Sequence, residues 1–334
     1  MKPSAGEAGG QAVCTRVMWN DNGHGVIVGR NMDWLEDMGT NLWVLPRGAK
    51  RAGMDRDPNP LCWTARYGSV IASVHDYASA DGINERGLAA QMLWLAESDY
   101  GPRDTSLPGL SLTLWTQFFL DQFSTVADCM AYMAGHPFQV RPQQETHSGR
   151  AAAVHLALDD ATGDSAIIEY IDGAPRVHHG RGYAVMTNSP PFDEQLAHVG
   201  RYRGFGGNEP LPGTTEADDR FVRASYYLRH LPKPDSSRNA YAALLSVMRN
   251  AAQPFGVADP ARPNISATIW RTLADLTNGI YAFESSYSPD IIWVHLNRIH
   301  FDRCQRLDLS AGDLAGDVTD ALAPATPFAF ASAP

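Results

Sequence analysis

The spacing of apolar residues changes several times along the chain, and each change predicts a different element. Short alternating runs rich in Val, Ile, Leu, Met and Trp predict strands. These runs cover residues 14–19, 26–33, 41–46, 67–74, 87–95, 151–158, 165–171, 183–187, 267–272, 279–284 and 291–296. Apolar residues three to four positions apart, preceded by Ser, Thr or Asp as N-caps, predict helices. The helical segments cover residues 111–123, 126–133, 217–231 and 237–250.

Polar segments between these runs predict turns. Residues 81–88, which read Asp-Gly-Ile-Asn-Glu-Arg-Gly-Leu, are interpreted as a turn that leads into the strand beginning at Leu88. Residues 159–164 predict a hairpin turn, because their three Asp residues lack the spacing of a calcium loop. His178 and His179 have no partners at metal-ligand spacing and are interpreted as a solvated turn.

The order of elements predicts an α+β fold. Two blocks of mostly antiparallel strands, each followed by helices, fit two sheets packed face to face with helices outside, a four-layer αββα sandwich. No repeat or linker divides residues 14–334, which predicts a single domain. Residues 1–13 are small and polar and have no apolar signal-peptide core, so we interpret them as a propeptide or leader remnant.

Composition narrows the function classes. With 334 residues, 44% of them hydrophobic, the chain can bury a large core. A net charge of −10 without a long basic run argues against nucleic-acid partners and anionic membranes, and no apolar stretch is long enough for a membrane helix. The four cysteines are far apart and predict neither a zinc site nor a disulfide framework; Cys62, Cys129 and Cys304 are interpreted as core thiols. The compartment, periplasm or cytoplasm, stays open.

The strongest chemical signal is Cys14 with Arg30 and Asp33. A predicted hairpin, residues 14–19 and 26–33 joined by a turn at 21–25, brings these three side chains together. A neighbouring cation lowers the pKa of a thiol from about 8.5. Cleavage of the Val13–Cys14 bond would add a free α-amine, whose pKa of about 7.7–8.0 suits a general base, and Asp33 could orient it. A cysteine at a strand start is, however, more often a small buried hydrophobic residue.

Four further residues are candidates with ordinary alternatives. Asn188, at the end of the strand 183–187, could donate to an oxyanion or could simply close a turn before Ser-Pro. Arg220, near a predicted helix start, could support the site or form a surface salt bridge. Trp34 and Trp94 could line an apolar substrate cleft or belong to the core.

Taken together, these segments resemble the choloylglycine hydrolase family of the N-terminal-nucleophile (Ntn) hydrolases, which includes bile-salt hydrolases and penicillin V acylases. The resemblance runs from Cys14 to about Phe330. The matching segments, in chain order, are Cys14-Thr15, Gly29-Arg30-Asn31-Met32-Asp33, Asp81-Gly82-Ile83-Asn84-Glu85-Arg86-Gly87-Leu88, Thr187-Asn188-Ser189-Pro190 and Arg220-Phe221-Val222-Arg223.

The resemblance implies an Ntn-hydrolase fold and a role for each site residue. Cys14 matches the nucleophile whose freed amine is the base. Arg30 and Asp33 match the residues that tune the thiolate and orient the amine. Asn188 matches the side-chain oxyanion donor, and Arg220 matches the arginine that steadies the site. The implied reaction hydrolyses a linear amide through a thioester, without metal or cofactor, and the implied assembly is a homotetramer.

The chain departs from bile-salt hydrolases at one position. Those enzymes usually carry a second Asn where this chain has Trp94. A backbone N–H donor there would survive the substitution, whereas an indole favours an aromatic or fatty acyl group over a steroid. Here the chain resembles the Gram-negative penicillin V acylase branch, whose members also cleave acyl-homoserine lactones. Two alternatives stay open, a hydrolase of conjugated bile salts and an unprocessed, non-catalytic binder of acyl ligands.

Overall fold

Each predicted apolar run contains a strand, and nine further strands in the part of the chain that the structure describes were not predicted. The computed structural model describes residues 13–144, 151–255, 266–288 and 290–333. Its strands are β1 (Val13–Trp19), β2 (Ile27–Trp34), β3 (Leu42–Leu45), β4 (Lys50–Ala52), β5 (Cys62–Thr64), β6 (Ser69–Val74), β7 (Ala78–Asn84), β8 (Leu88–Trp94), β9 (Gly109–Ser111), β10 (Gln139–Arg141), β11 (Val154–Asp160), β12 (Ser165–Ile171), β13 (Ala174–His179), β14 (Val185–Met186), β15 (Ala267–Asp275), β16 (Ile280–Ser285), β17 (Ile291–His295), β18 (Gln305–Leu307), β19 (Gly316–Asp317) and β20 (Ala323–Pro324).

The helices also lie close to their predicted positions. They are α1 (Trp115–Gln122), α2 (Val126–Gly135), α3 (Phe192–Val199), α4 (Ala217–Arg229) and α5 (Ser237–Asn250), with 3₁₀ turns at Leu112–Leu114, Arg203–Phe205, Leu296–Arg298 and Thr319–Ala321. Side-chain oxygens of Thr125 and Ser236 cap α2 and α5, as their N-cap spacing predicts. α3 was not predicted. None of the described helices has the length and apolar composition needed to cross a membrane.

Two large sheets hold most of these strands. The first sheet has the order β14-β1-β2-β15-β16-β17-β19, and the second has the order β13-β12-β11-β8-β7-β6-β3-β18-β20. Neighbours pair antiparallel in both sheets, except that β17 and β19 run parallel. The predicted antiparallel pairing is therefore confirmed.

The layers are arranged as the order of elements predicts. α4 and α5 pack on β1 and its neighbours, whereas α1 packs on β7 and β8, and α2 packs on β11. β1 and β8 meet between the sheets, where Val17, Met18, Ala80, Leu93 and Ala157 are buried in one apolar core. A second core fills the space between α1 and the second sheet. The result is the predicted four-layer αββα sandwich.

The prediction of a turn over residues 81–88 was wrong for its first half. Residues up to Asn84 belong to the buried strand β7, and the turn is confined to residues 85–87. Gly82 is needed in that strand because a Cβ would lie 2.7 Å from the Val70 carbonyl oxygen. The Asn84 side chain closes the turn by accepting hydrogen bonds from the amides of Arg86 and Leu88. The small and polar residues of this segment suggested a turn, but Gly82 allows two strands to pack closely and Asn84 caps the turn that follows β7.

Two smaller predictions also need correction, and a third is not tested. His178 and His179 lie in the edge strand β13, since they pair with β12 rather than form a turn. Cys62 is exposed on β5, so it is not a core thiol; Cys129 is buried and Cys304 is partly buried. Residues 1–12 of the predicted leader lie outside the described residues, and Val13 is the first residue of β1.

Candidate active site

The hairpin of β1 and β2 brings Cys14 beside Arg30 and Asp33, as the sequence predicts. Its register places Cys14 opposite Met32, with Val13 opposite Asp33. The turn is closed by the Asn22 side chain, which donates to the carbonyls of Trp19 and Gly25 at 3.0 and 2.8 Å. Local chain geometry alone therefore assembles the first half of the site.

Two residues from distant segments complete the cluster around Cys14. Asn188, just after β14, accepts a hydrogen bond of 2.5 Å from the Cys14 amide through its Oδ1. Arg220, in the first turn of α4, donates to the same oxygen at 2.9 Å and to the Cys14 carbonyl at 2.7 Å. It also contacts the Thr15 hydroxyl. Arg220 is wholly buried, which excludes the surface salt bridge considered from sequence.

These contacts fix the orientation of the Asn188 amide. Because Oδ1 accepts from both Cys14 and Arg220, the Nδ2 group must be the other arm. Nδ2 donates one hydrogen bond of 2.7 Å to the Trp94 carbonyl and keeps a second N–H. The Trp94 backbone atom that contacts Asn188 is thus a carbonyl, which holds the amide in place.

Arg30 lies beneath the thiol. Its Nη2 is 3.7 Å from Cys14 Sγ and 3.3 Å from Met32 Sδ, and it donates to the Met92 carbonyl at 2.8 Å. The guanidinium carbon lies 4.6 Å from the Trp270 ring centroid, a cation–π contact. A buried cation is therefore held close to the sulfur.

The Cys14 thiol is nevertheless not activated in the chain as it stands. Burial raises its pKa and outweighs the lowering by Arg30 and Arg220. Sequence reasoning considered the cation and not the cost of burying the thiolate. Since Val13 precedes Cys14, the nitrogen is an amide and cannot serve as a base.

Asp33 is an incompletely paired group of the site, as is Arg30, whose Nε and Nη1 have no hydrogen-bond partner among the described residues. Thr268 Oγ1 donates to its Oδ1 at 2.5 Å, whereas Oδ2 has no hydrogen-bond partner among the described residues and lies 3.8 Å from Arg220 Nη1. Burial raises the pKa of Asp33 to about 6, against the lowering by Arg220 and Thr268. The carboxylate therefore has capacity for one more donor on the side of Arg220, which also contacts the Cys14 carbonyl.

An apolar pocket of about 430 Å³ opens over Cys14 and Arg30. The rings of Trp34 and Trp94 meet there edge to face, with centroids 6.2 Å apart. Further apolar lining comes from Met32, Leu35, Met38, Val74, Tyr77, Met92, Leu93, Leu112, Ala152 and Val154. The two Trp residues thus line an apolar cleft beside the thiol, which is one of the two alternatives that the sequence left open.

Sequence reasoning missed Thr268, Met92 and Trp270. Thr268 and Trp270 flank a bulge in β15 where this strand pairs with β2, more than two hundred residues along the chain from Asp33. Met92 contributes through its backbone carbonyl, which no residue letter reveals. Only the strand order of the first sheet could have pointed to β15.

One cluster of the described residues has ligand atoms close enough for a metal ion. His198, Asp218 and Asp219 place these atoms within 4.8 Å of one another. Their polar atoms already have protein partners, since His198 Nε2 lies 2.9 Å from the Tyr202 hydroxyl and Asp219 accepts from Thr214. We assign no metal to this cluster.

Comparisons with known proteins agree with this geometry. The model of the family "Linear amide C-N hydrolases, choloylglycine hydrolase family" matches residues 14–310. A penicillin V acylase from Pectobacterium atrosepticum is 41% identical over 346 residues, covering 95% of this chain and 92% of its own. A bile salt hydrolase/transferase from Clostridium perfringens is 23% identical, covering 83% of this chain and 90% of its own.

Solved structures show the same fold. The penicillin V acylase from Agrobacterium tumefaciens superposes with a TM-score of 0.86 at 44% identity, over 96% of this chain and all (100%) of that one. A mutant conjugated bile acid hydrolase from Clostridium perfringens superposes with a TM-score of 0.76 at 20% identity, over 91% and 98% of the two chains, and so supports the fold alone. The chain therefore belongs to the choloylglycine hydrolase family and is a linear amide C–N hydrolase with the α+β sandwich of its penicillin V acylase relatives.

Proposed function

We propose that this hydrolase is a cysteine N-terminal-nucleophile amidase that cleaves acylated small molecules, penicillin V and N-acyl-homoserine lactones among them, through a thioester. One observation carries the proposal: both the sulfur and the nitrogen of Cys14 lie in one buried polar cluster at the base of an apolar pocket. The nitrogen is 2.5 Å from Asn188 Oδ1, and the sulfur is 3.7 Å from Arg30 Nη2. The family match also begins at Cys14.

Activation requires cleavage of the Val13–Cys14 bond. The freed α-amine would replace a neutral amide and could accept and return a proton near neutral pH. The unpaired Oδ2 of Asp33 provides an acceptor for that amine when it is charged. An ammonium near the sulfur would add a positive charge to those of Arg30 and Arg220, and so lower the pKa of the Cys14 thiol.

The reaction then proceeds in two steps. The α-amine takes the thiol proton, the thiolate forms a C–S bond to the amide carbonyl, and the second Nδ2–H of Asn188 together with the backbone N–H at Trp94 stabilises the oxyanion. Collapse breaks the C–N bond, and the α-ammonium protonates the leaving nitrogen. Water, deprotonated by the same amine, attacks the thioester, releases the carboxylic acid and restores the thiol.

The pocket favours flat or extended apolar acyl groups. Trp34 and Trp94 present ring edges and faces beside Cys14, while Met32, Met38 and Val74 continue an apolar wall. A phenoxyacetyl group can stack on such rings, and a fatty acyl chain can follow the methionines. Two relatives above 40% identity are penicillin V acylases, whereas the bile salt hydrolase/transferase from Clostridium perfringens is 23% identical.

The test is a substrate panel on protein with a verified N-terminus. Intact-mass measurement first establishes whether residues 1–13 are absent. Penicillin V, a long-chain acyl-homoserine lactone and glycocholate are then assayed in parallel. We expect turnover of the first two by trimmed protein, loss of at least about 10⁴ in kcat in Cys14→Ala, and no loss in Cys62→Ala, the matched control for an exposed thiol.

Other outcomes decide between the alternatives. Preferred turnover of glycocholate would replace the substrate assignment and leave the mechanism in place. A stable intact tail with acyl-ligand binding and no turnover would favour the non-catalytic binder. Full turnover by trimmed Cys14→Ala would contradict the mechanism itself.

A further inference from the structure

We propose that His155 is a positioning residue of the site, held as a doubly protonated imidazolium that fixes the segment carrying Asn188. This inference rests on the oxyanion role of Asn188 proposed above, and it goes beyond that role by naming the group that makes the donor sensitive to pH. His155 lies on β11, outside the cluster around Cys14.

Both ring nitrogens of His155 face hydrogen-bond acceptors. Nδ1 lies 3.0 Å from Glu169 Oε1, and Nε2 lies 2.8 Å from the Thr187 carbonyl oxygen. Both partners are acceptors, and a neutral imidazole has only one N–H to donate. Satisfying both contacts therefore takes a proton on each nitrogen. The side chain is wholly buried, so water cannot substitute for a missing donor at little cost.

If Glu169 were protonated, it could donate to Nδ1 and His155 could stay neutral. The surroundings of Glu169 favour its carboxylate form instead. Both carboxylate oxygens face the Phe192 amide N–H, at 3.1 and 3.2 Å. Burial raises the pKa of Glu169, but the hydrogen bond and charge of His155 outweigh it, and the net pKa is lowered. The Phe192 amide faces this group whatever the state of His155, and an imidazole is a stronger base than a carboxylate, so the shared proton lies on His155 and Glu169 is the carboxylate.

The second contact of His155 reaches the site through the backbone. Thr187 immediately precedes Asn188, and its carbonyl is the acceptor of the Nε2–H bond. The Thr187 hydroxyl lies 2.9 Å from the Ala217 carbonyl, on the helix that carries Arg220. Gln195 donates to the carbonyls of Asn188 and Pro190. Hydrogen bonds of His155, Thr187 and Gln195 thus hold the segment that presents Asn188. The bond from His155 requires a protonated ring nitrogen.

The charged groups around the pair are few among the described residues. His178, on β13, places its Nε2 3.9 Å from Glu169 Oε2 and its Nδ1 3.7 Å from Asp193 Oδ1 of α3. Arg176 is opposite Glu169 in register but pairs with Asp172 at 3.1 Å. A protonated His178 would therefore place positive charge near Glu169.

Loss of one proton from His155 has a directional effect. The remaining proton stays on Nδ1, because that nitrogen faces a carboxylate, and Nε2 then presents a lone pair to the Thr187 carbonyl. Two acceptors 2.8 Å apart repel, so the carbonyl moves away and Asn188 loses its alignment. kcat should then fall on the alkaline side by about five- to tenfold, as for the loss of one hydrogen bond.

The first test reads the protonation state directly in the unmodified chain. ¹⁵N chemical shifts of histidine-labelled protein are followed against pH, and the His155 signals are identified by their loss in His155→Gln or, if that variant does not fold, by their shift in Glu169→Gln. We expect both nitrogens to be protonated at pH 6–7 and one to lose its proton at higher pH. A single protonated nitrogen at pH 6 would overturn the proposal.

The second test links this titration to the oxyanion donor. Glu169→Gln removes the carboxylate, so the His155 titration and the alkaline fall in kcat should both move to lower pH by the same interval. Asp164→Asn is the matched control, because Asp164 pairs with His179 at 2.7 Å in a more exposed part of the second sheet. It should leave the kcat profile unchanged.

The outcomes separate this inference from the proposed function. A His155 titration that shifts in Glu169→Gln without any shift in the kcat profile would refute the positioning role. If Asn188→Ala retained the wild-type rate, the proposed function would fail instead, and the NMR titration would still report whether His155 is an imidazolium.

Discussion

Two buried arginine–aspartate pairs each have one member on the first sheet, Arg16 on β1 and Asp33 on β2, and they differ in how completely the charges are matched. Arg16, on β1, donates to Asp159 Oδ2 at 2.9 Å, to the Tyr183 carbonyl at 2.7 Å and to the Ser165 hydroxyl at 2.9 Å. Arg220 lies 3.8 Å from Asp33 and donates hydrogen bonds to the Cys14 carbonyl and to Asn188 Oδ1. The first arginine contacts its carboxylate directly, while the second mainly holds other groups.

The difference separates a structural pair from a reactive site. Direct contact offsets much of the cost of burying Arg16 and Asp159. Asp159 Oδ1 has no hydrogen bond among the described residues either, but Arg16 Nη2 contacts it directly. Asp33 Oδ2 has no hydrogen bond among the described residues and lies 3.8 Å from Arg220 Nη1, and burial raises the pKa of Asp33 to about 6. Such an unpaired acceptor costs stability, which is the usual sign of a group kept for chemistry. On the proposed mechanism, its missing donor is the α-amine of Cys14.

The largest predicted change in stability comes from removing one charge of the Arg16–Asp159 pair. Arg16→Met leaves Asp159 buried without its cation, and we expect a loss of about 3–5 kcal/mol in the free energy of unfolding. Urea denaturation measures this loss. The kcat of the protein that remains folded should not change, because the Arg16 side chain donates to Asp159, Tyr183 and Ser165, none of which belongs to the cluster around Cys14.

The matched control is the double variant Arg16→Met with Asp159→Leu. Replacing both charges with apolar side chains should restore most of the lost stability. A kcat that falls in both variants would show that the pair belongs to the site after all.

In the cluster around Cys14, the largest loss of kcat should come from substituting Asn188. Asn188→Ala removes the oxyanion donor, and we expect kcat to fall by about 10²–10³. The neighbouring Ser189→Ala is the control, since the Ser189 hydroxyl contacts the exposed Glu97 at 2.7 Å. Steady-state kinetics on penicillin V gives both values, and an Asn188→Ala rate within threefold of wild type would exclude the assigned role.

How much of this site could be predicted depends on how far apart its residues lie in the chain. The hairpin of Cys14, Arg30 and Asp33 follows from a local pattern and a turn, and the structure confirms it. Asn188 and Arg220 were weak candidates alone, because a turn and a surface ion pair explain the same letters. The family resemblance made both residues stronger candidates, and the structure places both in contact with Cys14.

The rest depends on tertiary pairing that no single segment encodes. Thr268 joins the site because β15 pairs with β2, and the Trp94 carbonyl joins because β8 faces β1 across the sandwich. The raised pKa of the Cys14 thiol was missed for the same reason, since burial is a property of the packed sheets. The fold class was predictable, because it requires only the order and period of the elements.

The charge of Asp33 can be tested through stability in uncleaved Cys14→Ala protein. The folded-state pKa of Asp33, about 6, lies above the ordinary 3.8, so the folded state binds the proton more tightly. This contribution is fully present below pH 4 and is lost as the pH rises through 6. It amounts to roughly 2–3 kcal/mol.

Asp33→Asn should therefore remove that part of the pH dependence, measured as the difference between urea midpoints at pH 4 and pH 7.5. Asp37→Asn, which changes a carboxylate in an exposed contact with the Gly39 amide, should keep it. Equal pH slopes in parent and Asp33→Asn would show that the Asp33 carboxylate is as well satisfied as Asp159.

The smallest predicted change in activity comes from altering the pocket while the polar cluster around Cys14 stays intact. Trp94→Ala removes an indole that meets Trp34 edge to face but keeps the Trp94 carbonyl that holds Asn188. Ring contacts of this kind contribute about 0.5–1.5 kcal/mol, so kcat/KM for penicillin V should fall by about three- to tenfold, mainly through KM. Trp94→Phe should recover most of this loss, because it restores an aromatic edge. If kcat rather than KM falls, the side chain of Trp94 is needed to align the oxyanion donor, and pocket and cluster are a single unit.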